Sequence, residues 1–264
     1  MAEERVNVLC AKWGTKYPAY YVNRLYAGVA KWLARPFRFV CATNEPEGIR
    51  PEVECVALDP NPHVKNRNWP NIHAKLTFFR RGFAQLEGPT LFFDVDVLIT
   101  GPLDRFFSYR PGDFCIIHNW VERRKAFFRR PPIGNSSCFR FDAGTDAAHG
   151  VYESFLRDKE DPSLDWYFRK GSQKFQTRAM FERGNVSWWP EEWVCSFKRQ
   201  CVPLWPFNRF LVPRRPKGPS VIAFHGNPDI PEAIDGFFTH KGEKIPMHLT
   251  CLPTPWVKDL WENP

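Results

Sequence analysis

Leu91-Phe92-Phe93-Asp94-Val95-Asp96-Val97-Leu98-Ile99-Thr100 is the stretch that decides how this chain is read. Two carboxylates stand two residues apart inside an otherwise apolar run that has the composition of a buried strand. If the strand runs through, its alternation puts Asp94 and Asp96 on one face. Two unpaired buried carboxylates would cost several kcal/mol or become protonated. A divalent cation resolves that conflict, and oxygen-only ligands suit Mg²⁺ or Mn²⁺, ions that also hold phosphates. The opposing reading ends the strand at Phe93 and leaves both acids in a solvated turn. Apolar residues resume at Val97 to Ile99, which favours the continuous strand.

Working outward towards the N-terminus, Val6 to Ala11 reads as a buried strand, Ala19 to Leu33 as a helix, and Phe37 to Thr43 as a second strand. Tyr21, Leu25 and Val29 recur at helical spacing, and Pro36 ends that helix. A short strand at Val53 to Ala57 follows, then a Pro- and Asn-rich loop at 59–71 and a helix from Ile72 to Leu86 with Lys75 on its first turn. Strand, helix, strand predicts an α/β fold with a mixed, mainly parallel sheet flanked by helices. Ligands of such sheets bind beyond the carboxyl ends of the strands. Ala11, Lys12 and Gly14 after the first strand and Asn44 after the second are therefore candidate ligand contacts. Lys75 is a candidate phosphate contact. Phe93 and Val95, beside the acids, and Gly226 complete that candidate set.

On the C-terminal side, strands are expected at Phe114 to His118, Asn135 to Asp142, Val186 to Trp189 and Ser220 to Phe224. Helices are expected at Asp146 to Leu156 and Gln173 to Arg183, and a tail rich in Pro and Trp wraps the fold. No linker separates domains, so residues 1–264 read as one domain. In it 1–100 form a first half that ends in the acidic pair, and 101–264 the second.

The hydrophobic fraction of 43% is that of an ordinary globular protein. No apolar run is long enough to span a bilayer and no signal peptide is visible, so the expected location is the cytoplasm. The eight cysteines form no C-x-x-C pair, which argues against zinc. A net charge of +8 points to anionic partners such as nucleotide phosphates, acidic glycans or a lipid surface met peripherally. No nucleic-acid motif accompanies the charge. The basic and aromatic stretch 121–130 reads as a solvated loop or as a flap over an acidic acceptor.

Four pieces in order carry a resemblance: the apolar strand with Asp94 and Asp96, Asn135-Ser136-Ser137 ahead of a strand, Gly171-Ser172-Gln173 opening a helix, and Phe224-His225-Gly226 after the last strand. Together they resemble GT-A fold glycosyltransferases, in particular the bacterial relatives of the family 8 nucleotide-sugar transferases. The resemblance implies that Asp94, Asp96 and His225 hold Mn²⁺ or Mg²⁺ against the diphosphate of a nucleotide-sugar, with UDP as the favoured nucleotide. It also implies that Asn135, Ser136 and Ser137 face substrate and that Gln173 lies near the reacting sugar carbon. The implied reaction is transfer of a hexosyl group, with retention, to a hydroxyl of a glycan or glycolipid. The family pattern has Asp-Gln where this chain has Ser172-Gln173, so the carboxylate there is missing. Asp142 and Asp165 are the alternatives.

Two other readings stay open. Asp94-Val95-Asp96-Val97 also fits the first motif of haloacid-dehalogenase-type phosphatases, with Asp94 as nucleophile and Asp96 as acid. Against it, that motif normally lies on the first strand, and no later Gly-Asp-x-x-x-Asp follows. A non-catalytic binder of nucleotides or glycans is the third reading.

Overall fold

The structure, a computed structural model, describes residues 5–58, 74–121, 132–168 and 172–264. The chain opens with β1 (Val6–Lys12), α1 (Ala19–Trp32), β2 (Phe37–Thr43) and β3 (Glu54–Val56). Next come α2 (Ala74–Thr77), β4 (Gly88–Phe93), β5 (Val97–Ile99), α3 (Asp104–Ser108) and β6 (Phe114–His118). β7 (Gly134–Ala143), α4 (Asp146–Asp158), α5 (Asp165–Phe168), α6 (Gln173–Arg183) and β8 (Val186–Trp188) follow. The last part holds β9 (Val194–Ser196), β10 (Val221–Ala223), α7 (Ile230–Asp235) and α8 (Pro255–Glu262).

Contacts divide the chain into two compact units. The first takes the chain up to Val22, Arg35–Val95 and Asp104–Trp189; the second takes Asn23–Ala34, Asp96–Leu103 and Pro190–Pro264.

The first unit is built on a seven-stranded sheet in the order β3-β2-β1-β4-β7-β6-β8. Its β1–β2, β2–β3, β1–β4 and β6–β8 pairs are parallel, whereas β7 runs antiparallel to β4 and β6. This is the mixed, mainly parallel α/β sheet expected. All seven residues of β1 are buried, as a central parallel strand covered on both faces requires. One core face is dominated by phenylalanines: Phe92 stacks on Phe139 at 4.7 Å between ring centroids, and Phe168 on Phe175 at 4.7 Å. Arg140, 1% exposed in the middle of β7, donates to the carbonyls of Phe106, Tyr109 and Arg110 at the end of α3. A guanidinium there answers the unpaired carbonyls of a helix C-terminus.

The second unit has a three-stranded sheet, β5-β10-β9. Gly28 of α1 lets the helix approach β5, where a Cβ would sit 3.1 Å from Ile99 Cβ.

Most expected elements lie where the sequence puts them, and two corrections matter. The strand does not run through both acids. It ends at Phe93, Val95 and Asp96 form a turn, and Val97–Ile99 is a separate strand in the other sheet. Alternation along one strand therefore does not place the two carboxylates. The helix expected from Ile72 to Leu86 is, among described residues, only the four of α2, followed by turns and a 3-10 turn at Phe83–Gln85. Every residue from Ala74 to Phe79 is buried, a demand that a helix with one inward face cannot meet. Gly82 then takes a left-handed conformation (φ 72°). β9 was not foreseen. The loop 59–71, the first two residues of the helix expected from Ile72, and nearly all of the stretch 121–130 lie outside the described residues.

Candidate functional site

β1, β2 and β4 run parallel, so their carboxyl ends lie at one rim of the first unit's sheet, and antiparallel β7 begins there. Cys10 pairs with Phe93, and Lys12 with Thr43. The Asp94 amide donates to the Ser137 carbonyl at 3.0 Å, carrying the β4–β7 ladder one step past the strand. Ala11, Lys12, Asp94, Asn135, Ser136 and Ser137 are thereby brought to one rim.

Lys75 is the cation of that rim. Only 7% exposed, it donates from Nζ to Asp94 Oδ1 at 2.6 Å, to Ser136 Oγ at 3.2 Å and to the Ser136 carbonyl at 3.3 Å. Its ammonium lies 4.9 Å from the Phe92 ring centroid. A buried ammonium needs a partner for each of its three donors, and these oxygens supply them. Asp94 is thus paired, although its side chain keeps partial contact with water. Asn135 Oδ1 accepts from the Ser137 amide at 3.0 Å, bracing the same corner.

Lys12 is buried and donates to the exposed Glu45 at 2.7 Å. Glu45 is held in turn by its amide's bond to Thr43 Oγ1 at 3.0 Å. Asn44 is exposed and accepts from the Leu58 amide at 3.1 Å, while Gly14 has φ 62° and open space beside it. The side chains of Phe93 and Val95 are buried in the core, so what they can offer a ligand is main chain.

Gln173 opens α6 and is tied to this rim through Thr177, whose hydroxyl donates to the Gln173 carbonyl at 2.6 Å and accepts from the Gly134 amide at 3.0 Å. Ser172 precedes it, buried, in the position where the family pattern has an acid. Asp142 does not replace that acid. It pairs with Pro89 at the far end of β4, roughly 20 Å along β7 from Ser136. Asp165 begins α5, and α5 packs on α6 through Lys174 and Arg178 against Trp166 and Tyr167. The thiols of Cys10 and Cys138 border Asp94, but burial pushes both well above the ordinary range, so neither is a nucleophile here.

In the second unit, Phe224 donates its amide to the Asp96 carbonyl at 3.1 Å, continuing the β5–β10 pairing by one step, and His225 follows it in the chain. His225 Nε2 lies 2.6 Å from Ser196 Oγ at the end of β9. Burial, then the cations Lys198 and Arg199, lower the His225 pKa to about 4. The imidazole is therefore neutral near pH 7 and keeps a lone pair, as a metal ligand must. Burial and Arg199 also lower the Lys198 pKa. Gly226 has φ 72°, and a Cβ there would lie 3.2 Å from Lys198 Nζ, so the glycine is what lets the lysine close on the backbone. Ser196 and Lys198 were missed from sequence. Lys198 opens a stretch, 198–217, rich in Arg and Lys, which gives it no individual role, and nothing in the sequence marks Ser196.

Among the described residues no three His, Cys, Asp or Glu side chains are grouped as metal ligands. Taken singly, the groups are ones Mn²⁺ accepts: a carboxylate at Asp94 in the first unit, and a carboxylate at Asp96 and a neutral imidazole at His225 in the second. Mg²⁺ in particular is commonly held by one or two carboxylates together with substrate phosphates rather than by an all-protein cage.

No protein-family model matches the sequence, and no curated protein shows detectable similarity to it. The fold does match solved structures. A WbbM bifunctional glycosyltransferase superposes with TM-score 0.60 at 12% identity, over 99% of this chain and 52% of that one. The galactosyltransferase LgtC, solved with donor and acceptor sugar analogues, gives TM-score 0.58 at 12% identity, over 97% of this chain and 95% of that one. GlyE of Streptococcus pneumoniae TIGR4, also a glycosyltransferase, gives 0.55 at 11% identity, over 98% and 60%. The chain thus spans about half of WbbM and nearly all of LgtC. No helix among the described residues is long and apolar enough to cross a membrane.

Proposed function

We propose that this chain is a glycosyltransferase that moves a hexosyl group from a nucleotide-sugar, UDP-linked in the favoured reading, to a hydroxyl of a glycan or glycolipid. The observation that carries the reading is the rim of the first sheet. A buried lysine, an acid at the end of a central strand and the Asn135-Ser136-Ser137 turn meet there, in a fold shared with solved glycosyltransferases. The fold alone does not specify chemistry, so the assignment rests on these residues.

In this reading Lys12 and Asn44 border the nucleoside, Lys75 and Asp94 orient the sugar-phosphate, and Gln173 lies towards the reacting carbon. Asp94 and Asp96 would supply the carboxylates that hold Mn²⁺ or Mg²⁺, and His225, neutral by its surroundings, would supply the nitrogen. When bound, such an ion neutralises charge developing on the departing diphosphate. Lys75 is the chain's own contribution to that task. In the transfer the bond from the anomeric carbon to the diphosphate oxygen breaks, and the bond to the acceptor oxygen forms. The acceptor's proton leaves to the diphosphate or to water. Retention of configuration belongs to the same reading.

No observation favours the phosphatase alternative. β1, β2 and β3 all precede Asp94, whereas the phosphatase motif lies on the first strand of its domain.

The test is thermal stability with UDP, GDP and CDP, each with and without Mn²⁺. One diphosphate should raise the melting temperature only with metal, by about 2.7 kcal/mol of stabilisation at roughly a hundredfold over Kd. Asp96→Asn should lose that gain. Aryl phosphate turnover, or indifference to all three nucleotides, would overturn the proposal.

A further inference from the structure

Between residues 197 and 228 the chain contains no acidic residue, and six of its side chains there are Lys or Arg. The same stretch holds the most exposed apolar side chains of the second unit. Leu204 is 79% exposed and Phe210 73%, with Trp205 and Phe207 also outside. Isolated surface apolar residues are ordinary, but a run of this density is not.

The run is held rigidly rather than left loose. Asn208, 1% exposed at its centre, donates from Nδ2 to the carbonyls of Met247 and Thr250, both at 2.9 Å. That amide ties the segment to a second exposed pair, Met247 and Leu249, so the two apolar stretches form one surface. From below, Trp256 Nε1 donates to the Pro213 carbonyl at 2.8 Å, and the Arg214 amide donates to the Cys201 carbonyl at 2.9 Å. A framework of buried bonds thus presents Leu204, Trp205, Phe207 and Phe210 to the outside.

Arg209, Arg214, Arg215 and Lys217 are exposed along the same segment, and none pairs with a carboxylate among the described residues. Aromatic and aliphatic side chains flanked by unpaired cations are the composition of a surface that inserts shallowly at an anionic headgroup layer. A protein partner or a second copy would have to bring acidic groups. A second copy of this segment brings none, which disfavours an isologous contact between copies.

We infer that the Leu204–Lys217 segment, with Met247 and Leu249, is a peripheral docking surface for an anionic lipid bilayer. It needs no bound nucleotide and does not rest on the transferase reading.

The test is co-sedimentation of the full chain with vesicles of phosphatidylcholine alone and of equal parts phosphatidylcholine and phosphatidylglycerol. Two variants accompany it, Leu204→Ser/Phe210→Ser and Arg214→Glu/Arg215→Glu, with melting curves to show that each folds. The parent should sediment with the anionic vesicles and far less with the neutral ones. The arginine variant should bind at least about 25-fold more weakly, from about fivefold for each of the two basic side chains lost near such a surface. The apolar variant should lose binding that added salt does not abolish in the parent. Failure of the parent to sediment with anionic vesicles would overturn the inference. So would equal binding by both variants, or a dimer in the parent that the Leu204→Ser/Phe210→Ser chain lacks.

Discussion

Lys75→Met keeps the buried stem of the side chain and removes its charge, leaving Asp94 without its ammonium. The Lys75 side chain is 9% exposed and that of Asp94 26%, with 2.6 Å between Nζ and Oδ1. Removing one partner of a buried pair typically costs 3–5 kcal/mol, and partial hydration of Asp94 puts this case at the lower end, about 3 kcal/mol. For a chain of this size that corresponds to a fall of roughly 6–12 °C in melting temperature. The assay is a double-mutant cycle by urea denaturation over Lys75→Met, Asp94→Asn and their combination. Asp94→Asn should also destabilise, by stranding the lysine, and the double variant should lose well under the sum, with a coupling of about 2 kcal/mol. A coupling below about 0.5 kcal/mol would refute the argument, because the pair would then behave as a solvated surface ion pair.

The remaining expectations are simpler. Because the unfolded His225 takes up a proton near 6.5 and the folded one only near 4, the unfolded state binds more protons between those values. Stability from this group is therefore full above about pH 6.5 and is lost as the pH falls towards 4, by at most about 3 kcal/mol. With a chelator present, His225→Gln should flatten that part of the pH profile, and superimposable profiles would reject it. Of the eight cysteines only Cys55 is exposed, and although partial burial raises its thiol too, burial raises Cys115 to about 12, so native protein at pH 8 should show one thiol reacting ahead of the others with a disulfide reagent. Cys55→Ser should remove that phase, and survival of the phase would contradict the burial of the others. Gly134→Ala would place a Cβ 2.5 Å from Ile116 Cδ1 and 2.9 Å from Thr177 Oγ1, the hydroxyl that anchors α6 to β7. A loss of about 1–3 kcal/mol is expected by denaturation, and an unchanged midpoint would show that this corner has slack.

The amino-acid sequence by itself determined the α/β class and most of the elements. Buried parallel strands such as Val6–Lys12 are continuous apolar runs, helices such as Ala19–Trp32 keep their own periodicity, and both signals are local. Local too was the suspicion attached to Asp94, since an acid in a run of phenylalanines and valines must be reconciled with burial somewhere. Which partner reconciles it was not local. Lys75 lies nineteen residues upstream and Ser136 forty-two downstream, and only the pairing of β4 with β7 and the short turn of α2 bring them together. The break at Phe93 was hidden for the same reason: whether an apolar run continues in one sheet or passes to another depends on which strand pairs with it. The proton state of His225 likewise follows from Lys198 and Arg199, neighbours supplied by β9 and β10 lying side by side. Residue type reveals what a side chain needs, and only the assembled sheets decide which distant group supplies it.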